Sequence, residues 1–504
     1  MKSFPMRVVA LLASAALLSV TACSAGSGTS SGGSSPGGGQ NLSIGLVAEP
    51  ASLDFTTTDG AAIPQVLLGN VYETLVKQDD SGKIVPSLAK SWTVSPDRKT
   101  YTFDLVDNAK FTGGKKFTAS DAVFSINRVK TAWTISLKSA MDVVSAAKAV
   151  SPTQLQVTLT KPSNDWLFRM TTRIGAMFSE TGVSALATAP VGTGPFKFSK
   201  WNRGDSIVLA RNDDYWGTKP NFAQITLKYF KDATALNNAL LTGTINVIGT
   251  VQAPEALSQF TSNSKYQVIE GTTNGEVLLS FNNSRPVFKD IRTRQAIRMA
   301  IDHKALLDTC WAGRGKLIGS MVPPTDPWYE DLTGIAPYDL AKAKSLLQAS
   351  GAAGQTLRLR LPTLPYATSC GQVVKSDLEQ AGLKVQIDQL EFPAAWLTTV
   401  FKNADYDMSI IAHVEPRDLG AVFGNPKYYT RYDDPTLQAD LAAADAGDEA
   451  TQTADMKKAA RRLSEQAAGD WLFLLPNLMV ADKDIKGLPT NAITENFDLS
   501  KLSR

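Results

Sequence analysis

The sequence of 504 residues has few of the side chains that perform covalent or metal chemistry. It contains three cysteines and two histidines, His303 and His413, which restricts metal sites and histidine-assisted catalysis. It has neither a G-x-x-x-x-G-K-[ST] phosphate loop nor a G-x-S-x-G nucleophile elbow. The composition favours binding over catalysis, so we expect no enzyme activity, no cofactor and no metal ion.

The sequence also lacks an excess of charge of one sign. Its 51 Lys and Arg residues face 48 Asp and Glu residues, and this balance predicts no nucleic-acid partner. No apolar run beyond the first 22 residues approaches the roughly 20 residues that a membrane-spanning helix needs. With 43% hydrophobic residues, the chain has ample core for two or three domains.

The first residues have the pattern of an export signal. Lys2 and Arg7 precede an apolar run at 8–20, which predicts a signal peptide at 1–22. Val-Thr-Ala-Cys at 20–23 resembles the lipobox of bacterial lipoproteins, and this resemblance implies acylation of Cys23. The alternative is an ordinary secretory peptide. Residues 23–40 are mostly Gly and Ser and predict a flexible tether, which would place the protein at the extracytoplasmic face of the cell membrane.

The two remaining cysteines, Cys310 and Cys370, would meet an oxidising environment outside the cytoplasm. A bond between them would close a long loop and stabilise the fold by roughly 4 kcal/mol. The alternative is two buried free thiols, because sequence alone does not show whether their Cα atoms approach one another.

Strand and helix patterns interleave along the body of the chain, which predicts the α/β class. Alternating apolar residues predict strands around 101–105, 155–159, 225–229, 357–361, 385–390 and 408–412. Helical spacing after Asp232, Asp290 and Tyr338-Asp339 predicts three helices, of which the last ends at Gly351. The glycine cluster at 192–196 contains Pro195 and is interpreted as a turn.

A series of short motifs shares its order with one protein family. They are E-P-A-S-L-D (49–54), Y-E-T-L-V (72–76), P-S-L-A-K-S-W (86–92), A-S-D-A-V (119–123), G-T-G-P-F (192–196), N-D-D-Y-W (212–216), F-N-N (281–283), F-K-D-I-R-T-R-Q-A-I (288–297) and A-I-D (300–302). In this order the chain resembles the bacterial extracellular solute-binding proteins of the oligopeptide and dipeptide type, family 5, which serve ABC importers. We interpret most motif residues as structural; Trp216, for example, is expected to pack a strand end.

The resemblance implies a periplasmic-binding-protein-like fold of the large, type II class, in which two lobes enclose the ligand. Lobe 1 would comprise residues 41–72, 188–280 and 478–504, with an inserted subdomain at 73–187. Lobe 2 would comprise 281–477. Closure would be a hinge motion that the ligand stabilises through its affinity for the closed state.

The resemblance also implies that an acidic residue after a lobe 2 strand holds the ligand's α-amino group. The segment at this position contains His413, Glu415, Arg417 and Asp418, and the acid is either Glu415 or Asp418. Arg417 would bind a ligand carboxylate in a bidentate contact. The alternative is an exposed loop whose charges neutralise one another.

Further ligand-binding candidates follow from their positions along the chain. Trp396 is expected either to line the cleft or to fill the core of lobe 2. The other candidates lie in a loop of lobe 1, at the two crossings and on the cleft rim: Asp59, Ala62, Ile63, Thr250, Gln252, Asn282, Tyr428, Tyr429 and Asn477.

These features predict a monomeric, lipid-anchored receptor that captures short peptides and delivers them to an ABC permease with its ATPase subunits. One alternative keeps the scaffold and changes the ligand to a nickel complex, haem, an oligosaccharide or an opine. His413 with Glu415 suggests a metal complex only weakly. A remote alternative is a secreted hydrolase that uses two carboxylates.

Overall fold

The computed structural model describes residues 40–504 of the chain. The predicted signal peptide, Cys23 and all but the last residue of the predicted tether lie outside the described residues. Within 40–504, no helix combines the length and apolar character that crossing a membrane requires.

The strands of the described part have alternating or continuous apolar character, as the sequence predicts. Their bounds are β1 (Asn41–Leu46), β2 (Val76–Gln78), β3 (Ile84–Pro86), β4 (Ala89–Val94), β5 (Thr100–Leu105), β6 (Val144–Ser151), β7 (Gln154–Leu159), β8 (Phe196–Asn202), β9 (Ser206–Arg211), β10 (Gln224–Tyr229), β11 (Val247–Ile248), β12 (Tyr266–Phe281), β13 (Thr356–Pro362), β14 (Lys384–Leu390), β15 (Met408–His413) and β16 (Gly469–Asp482). The six strands predicted from alternating residues are confirmed as β5, β7, β10, β13, β14 and β15.

A mixed ten-stranded sheet is the framework, with the order β14-β13-β15-β12-β16-β11-β1-β10-β9-β8. A four-stranded antiparallel sheet has the order β4-β5-β7-β6, and β2 pairs with β3. The parallel pairs β1–β10 and β13–β14 are buried by helices, as parallel sheets usually are. The predicted α/β class is confirmed.

The helices lie between these strands. The α-helices are α1 (Ala62–Leu67), α2 (Ala119–Ala132), α3 (Asn164–Arg169), α4 (Ala233–Leu241), α5 (Ser258–Thr261), α6 (Ile291–Ala300), α7 (His303–Trp311), α8 (Leu340–Ser350), α9 (Pro365–Gln380), α10 (Ala394–Trp396), α11 (Leu419–Phe423), α12 (Pro435–Ala446) and α13 (Glu449–Glu465). A π-helical turn, Leu397–Lys402, continues α10. Short 3₁₀ turns span Ser136–Met141, Arg173–Gly175, Val183–Ala185, Pro254–Ala256, Pro286–Phe288 and Thr333–Ile335.

Local capping explains why three predicted helices begin where they do. The side chains of Asp232, Asp290 and Asp339 accept hydrogen bonds from the backbone N–H groups of Ala235, Arg292 and Lys342. Each bond satisfies one of the donors that the first helical turn leaves free. Helix α8 ends at Gly351, whose φ of 73° is the left-handed conformation that glycine adopts readily.

Two long strands, β12 and β16, run through the whole molecule side by side. Their regular pairing is interrupted between Thr272 and Glu276, opposite Leu474 and Pro476. Hydrophobic residues before and after this interruption belong to different clusters. Two of the clusters contain hydrophobic residues from 42–268 and 478–502. The other three contain hydrophobic residues from 277–474. We call the first part lobe 1 and the second part lobe 2.

The lobe boundary on β12 differs from the expected one at residue 281. Val277, Leu279 and Phe281 pack in a cluster of lobe 2, because the last six residues of β12 pair with β15 of that lobe. The crossing lies instead at Thr272–Glu276. On β16, Leu474 packs in lobe 2 and Leu478 in lobe 1.

The predicted inserted subdomain contains the four-stranded sheet with α2 and α3. Its core residues, among them Phe103 and Trp166, belong to the same hydrophobic cluster as Ile44 of β1 and Tyr72. The inserted segment therefore packs on lobe 1, and its exact bounds of 73–187 stay a prediction.

Three of the motifs meet at one buried carboxyl group. Glu73 accepts hydrogen bonds from Thr193 Oγ1 at 2.8 Å, Tyr215 Oη at 2.7 Å and Trp216 Nε1 at 2.8 Å. Burial raises the pKa of Glu73, and the three hydrogen bonds oppose that rise. Trp216 thus does more than pack a strand end: its indole N–H fixes the carboxyl group.

The glycine cluster lies against the backbone of the same region. A Cβ atom at Gly192 would lie 1.9 Å from Val71 O, and one at Gly194 would lie 2.3 Å from Asn70 O. Only glycine permits this approach, which places Thr193 beside Glu73. The predicted turn is therefore a close packing contact between two backbone segments.

Cys310 at the end of α7 and Cys370 in α9 form a disulfide bond, with Cα atoms 4.9 Å apart. Helices α7 and α9 pack side by side on the sheet of lobe 2, so the bond joins two neighbours. His303 at the start of α7 lies near this region; its Nε2 contacts the buried Asp470 at 2.9 Å. The cap of α7 is Asp302, whose side chain accepts hydrogen bonds from the backbone N–H groups of Lys304 and Ala305.

Replacing Glu73 by Ala would leave the buried hydroxyl of Thr193 and the half-buried donors of Tyr215 and Trp216 without this acceptor. We expect Glu73→Ala to lower the free energy of unfolding by about 2–4 kcal/mol, measured by urea denaturation. Glu180, which is exposed, gives the control Glu180→Ala, expected to change it by less than about 0.5 kcal/mol. Equal effects of the two substitutions would contradict the role assigned to Glu73.

Candidate functional site

A cavity of about 1340 Å³ lies between the lobes. Lobe 1 contributes the loop around Asp59, α3 and the turn at Arg173–Gly175. Lobe 2 contributes the segment after β15, the π-helical turn and Tyr428. The volume exceeds the roughly 300–1,000 Å³ of ordinary small-molecule sites, so the cavity has room for a ligand larger than most small molecules.

The irregular part of the crossing strands forms the floor of this cavity. Thr273, Asn274 and Gly275 line it from β12, and Leu475 and Pro476 line it from β16. Asn274 Nδ2 donates to Ile493 O at 2.8 Å, and Thr273 Oγ1 donates to Leu475 O at 2.6 Å. Side chains therefore support the backbone where the ladder is interrupted. Within residues 40–504, the two strands that connect the lobes thus pass along the floor of the cavity.

Arg173 is the central cation between the lobes, and its side chain is 1% exposed. Its Nε donates to Glu495 Oε1 at 2.8 Å, and its Nη1 donates to Gly60 O at 3.1 Å. Its Nη2 lies 3.3 Å from Glu415 Oε1 of lobe 2. A buried guanidinium must be paired to offset its desolvation, and here one partner belongs to the opposite lobe.

Asp59 and Glu415 face the cavity from opposite lobes. The Glu415 side chain is 28% exposed, and among the described residues its ion-pair partner is Arg173. No ion pair within residues 40–504 involves the Asp59 carboxylate. Burial raises the pKa of Asp59; positive Arg173 lowers it and negative Glu415 raises it further. The two lobes thus present a pair of acids with a single shared cation.

His413 is buried at the end of β15, and both of its ring nitrogens have partners. Nδ1 lies 3.2 Å from Asp418 Oδ2, and Nε2 lies 2.8 Å from Tyr429 Oη. Burial raises the pKa of Asp418, and its hydrogen bond with His413 opposes that rise. His413 therefore orients both Asp418, which lines the cavity, and Tyr429, which lies behind it.

Arg417 is stacked between two aromatic rings. Its guanidinium carbon lies 4.1 Å from the centre of Phe168 in the inserted segment and 4.8 Å from the centre of Trp328. Its Nε lies 3.8 Å from Asp326 Oδ1. These contacts engage the guanidinium plane and join the lobes by a cation–π interaction. They argue against the carboxylate clamp proposed for Arg417.

Glu276 is a buried carboxyl group at the crossing, and its Oε2 has no hydrogen-bond partner within the described residues. Burial raises its pKa well above 4.5, and negative Asp418, Asp326 and Glu415 raise it further. Burial also raises the pKa of Asp326 to about 6. Glu276 and Asp326 are therefore buried carboxyl groups outside the cavity lining, and both have raised pKa values.

Most of the predicted ligand-binding residues line the cavity. They are Asp59, Ala62, Ile63, Thr250, Gln252, Trp396, His413, Glu415, Arg417, Asp418, Tyr428 and Asn477. Although Trp396 reaches the cavity, it is 3% exposed and also packs in a core cluster, which combines both of its expected roles.

Two predicted residues lie away from the cavity surface. Asn282 Nδ2 donates to the carbonyl oxygens of Ala404 and Tyr406, because the crossing lies earlier on β12 than expected. Tyr429 is 1% exposed, and its hydroxyl is occupied by His413. Asn282 therefore supports the backbone near the site, and Tyr429 supports the ring of His413, which lines the cavity.

Sequence reasoning missed the arginines of the inserted segment. Arg169 donates to Pro416 O at 3.3 Å and to Arg417 O at 2.9 Å, so it binds the backbone of the predicted ligand segment. Arg169 and Arg173 stand four residues apart, which places them near each other across a helical end. This spacing within an otherwise apolar segment was the available signal.

A second contact between the lobes involves the start of α3 and the end of α12. Asn164 Nδ2 donates to Ala444 O at 2.9 Å and to Gly447 O at 2.8 Å. Ser163 Oγ donates to Asp445 Oδ1 at 2.7 Å. The last carbonyl groups of a helix lack intrahelical partners, and Asn164 supplies donors from the other lobe. The two lobes therefore contact each other directly at this point.

The chain matches a protein-family model. The model described as bacterial extracellular solute-binding proteins, family 5 Middle, covers residues 83–434, which is more than half of the chain. The chain belongs to this family. The membership that the motifs predict is therefore confirmed.

Among curated relatives, the chain is 32% identical over 352 residues to the nickel-binding periplasmic protein of Escherichia coli (strain K12), which covers 63% of this chain and 65% of that protein. It is 32% identical over 294 residues to a putative ABC transporter peptide-binding protein of Brucella ovis, covering 56% and 54%. The matches thus span between about half and two thirds of these relatives.

Solved structures cover more of the chain. The periplasmic binding protein DppA from Helicobacter pylori, in complex with peptide STSA, has a TM-score of 0.84 at 23% identity and covers 92% of this chain and 98% of that one. The binding protein AgaA of A. tumefaciens R10, in complex with agropinic acid, has a TM-score of 0.82 at 24% identity, with coverage of 92% and 98%. These likenesses confirm the predicted two-lobed fold.

Loss of the second interlobe contact is expected to weaken closure. Asn164→Ala removes donors from two carbonyl groups, so the closed population should fall and every ligand should bind roughly 3- to 10-fold more weakly. Small-angle scattering and calorimetry measure the two effects. Asn127→Ala, on the exposed face of α2, is the matched control. A selective loss for one ligand class, or no change in shape, would contradict this account.

The raised pKa of Glu276 predicts a pH-dependent stability. The stability that the protonated Glu276 contributes is fully present below the unfolded pKa near 4.5 and is lost as the pH rises from there through the raised folded pKa. In this range the unfolded state has released its proton while the native state still holds one, so rising pH favours unfolding. Glu276→Gln should therefore be more stable than the wild type at pH 8, by about 1–2 kcal/mol, and no more stable at pH 4.5.

Urea denaturation at the two pH values measures this difference. The exposed Glu255 provides the control Glu255→Gln, for which we expect equal small effects at both values. A Glu276→Gln effect independent of pH would show that the carboxyl group does not titrate as described.

Proposed function

We propose that this protein is the substrate-binding component of an ABC importer and captures short peptides by closing its two lobes around them. The observation that carries the proposal is the acid pair Asp59 and Glu415, which faces one cavity from both lobes. A ligand that bridges these groups stabilises the closed state by its differential affinity.

The charges around the cavity favour a ligand with a cationic group. Carboxyl groups outnumber guanidinium groups in this region: Asp59, Asp165, Glu276, Asp326, Glu415, Asp418 and Glu495 surround Arg169, Arg173 and Arg417. Because Asp418 is paired with His413, Glu415 is the better of the two predicted amine acceptors. A peptide ammonium between Asp59 and Glu415 would compensate for charge that Arg173 alone does not balance.

The remaining affinity would come from the peptide backbone. The interrupted pairing between β12 and β16 places irregular backbone at the cavity floor, where an extended ligand finds hydrogen-bonding groups. Main-chain recognition of this kind tolerates varied side chains. The peptide-binding relative from Brucella ovis and the peptide complex of DppA support this ligand class.

The sequence adds the cellular setting to this proposal. Acylation at Cys23 and the Gly/Ser tether would hold a monomeric receptor at the extracytoplasmic face of the membrane. The tether would raise its effective concentration near the permease. ATP hydrolysis would belong to the ATPase subunits, and the receptor itself would catalyse no reaction.

A metal complex is the second candidate ligand. Ligand atoms of His413, Glu415 and Asp418 lie within 4.8 Å of one another, and one relative is a nickel-binding protein. The contacts of His413 with Asp418 and Tyr429 compete with metal binding, because a ligating imidazole needs a free nitrogen. The geometry therefore favours the peptide.

Calorimetry with a matched pair of ligands tests the proposal. Trialanine should bind, and N-acetyl-trialanine, which lacks the ammonium, should bind at least about 10-fold more weakly. Asp59→Asn should weaken trialanine binding by about 10-fold or more and leave the acetylated peptide nearly unchanged. Glu415→Gln also removes the interlobe ion pair with Arg173, so it should weaken the binding of both peptides, and that of trialanine more.

Glu255→Gln serves as the surface control. Equal affinity for both peptides in the wild type would contradict the ammonium site. Binding of nickel–histidine complexes together with no binding of any peptide would replace the peptide by the metal complex.

A further inference from the structure

One wall of the cavity carries apolar side chains that are not fully buried. They come from four segments of lobe 2 and line the cavity: Leu364, Phe392, Leu397, Phe401, Val414 and Tyr428. We call this set the apolar wall. Val414 is 38% exposed, and the other five are half-buried. An exposed apolar surface inside a cleft marks a site of ligand contact.

The aromatic rings of this wall are held in fixed positions. Trp396 packs behind them, with ring centres 6.2 Å from Phe392 and 6.3 Å from Phe401. Its indole Nε1 donates to Ser409 Oγ at 3.1 Å. Phe401 and Tyr428 meet edge to face with centres 5.2 Å apart. The wall is therefore formed before any ligand arrives, which reduces the entropic cost of binding.

The local backbone explains how two of these side chains reach the cavity. Leu397 and Phe401 belong to the π-helical turn Leu397–Lys402. Such turns are rare and occur frequently at functional sites. Residues four apart lie on one helical face, and here that face is the one that lines the cavity.

The apolar wall borders the acid pair. Val414 directly precedes Glu415 in the chain. The phenol of Tyr428 lies close enough to Glu415 and Asp59 for their negative charges to raise its pKa, in addition to the larger effect of burial. In a peptide, the ammonium nitrogen and the first side chain are attached to the same carbon atom. A ligand whose ammonium lies between the two acids therefore directs its first side chain to nearby surface.

We propose that the apolar wall receives the side chain of the amino-terminal residue and selects peptides in which this residue is aromatic or large and aliphatic. This inference rests on the proposed function and specifies its substrate class. Charge complementarity places the ammonium, and the wall offers the neighbouring side chain an apolar surface. Exchanging Ala for Phe at the first position should strengthen binding roughly 10- to 100-fold, as expected for burial of a large apolar side chain.

A series of tripeptides tests this selectivity by calorimetry on the wild-type protein. Phe-Ala-Ala and Leu-Ala-Ala should bind roughly 10- to 100-fold more tightly than Ala-Ala-Ala. Ala-Phe-Ala, which has the same composition as Phe-Ala-Ala, should gain far less. Equal affinity for all four peptides, or a preference for Ala-Phe-Ala, would overturn the inference.

Substitutions in the wall identify the residues that carry the preference. Phe401→Ala should reduce the ratio of affinities between Phe-Ala-Ala and Ala-Ala-Ala to less than about 3-fold, and Phe401→Leu should restore part of it. Leu397→Ala is a second variant that reports on the same face. The control is Phe124→Ala, at a half-buried phenylalanine of α2 outside the cavity lining, for which the ratio should not change.

The outcomes distinguish failure of the apolar-wall assignment from failure of the proposed peptide-binding function. If the peptides bind without discrimination at the first residue, only the assignment of the wall fails. If no peptide binds, the proposed function fails as well. An unchanged ratio in folded Phe401→Ala and Leu397→Ala proteins would show that the preference arises elsewhere, and this would also overturn the assignment.

Discussion

The structure depends on the pairing of one buried cation, Arg173. A guanidinium that is almost entirely removed from water is costly unless acceptors surround it. Two of its acceptors, Glu495 and Gly60 O, belong to lobe 1, and the third, Glu415, belongs to lobe 2. Closure of the cleft therefore brings Glu415 to Arg173 and to the loop that carries Asp59. The same contact that joins the lobes also assembles the acids of the site.

The continuous sheet gives this closure its hinge. Strands β12 and β16 are long enough to belong to both lobes, and their pairing is irregular between Thr272 and Glu276 and again between Val277 and Leu278. A break in a β-ladder concentrates bending at a few residues. The interrupted part of β12, Thr273–Gly275, also lines the cavity floor. A ligand on the floor therefore contacts the hinge residues directly.

Local chemistry made much of the fold predictable. Helix caps such as Asp232 and Asp290 bond to backbone N–H groups two or three residues away, so the sequence shows both partners together. A strand such as β5 is recognised from the alternation of apolar and polar residues along the strand itself. The partners of Arg173 lie 242 and 322 residues away in sequence, and no local pattern reveals such pairs. The same holds for Trp216, whose acceptor Glu73 lies 143 residues before it. The stacking of Arg417 on Phe168 was missed because the sequence shows the charge of Arg417 and not its distant aromatic neighbour.

The central claim is that one ligand ammonium is held jointly by the two lobes. A crystal structure of the protein with a free-amine tripeptide measures this most directly. The account predicts the peptide nitrogen within about 2.7–3.2 Å of carboxylate oxygens of both Asp59 and Glu415, with the cleft closed. A peptide bound to one lobe only, or with its amino group directed away from both acids, would contradict it.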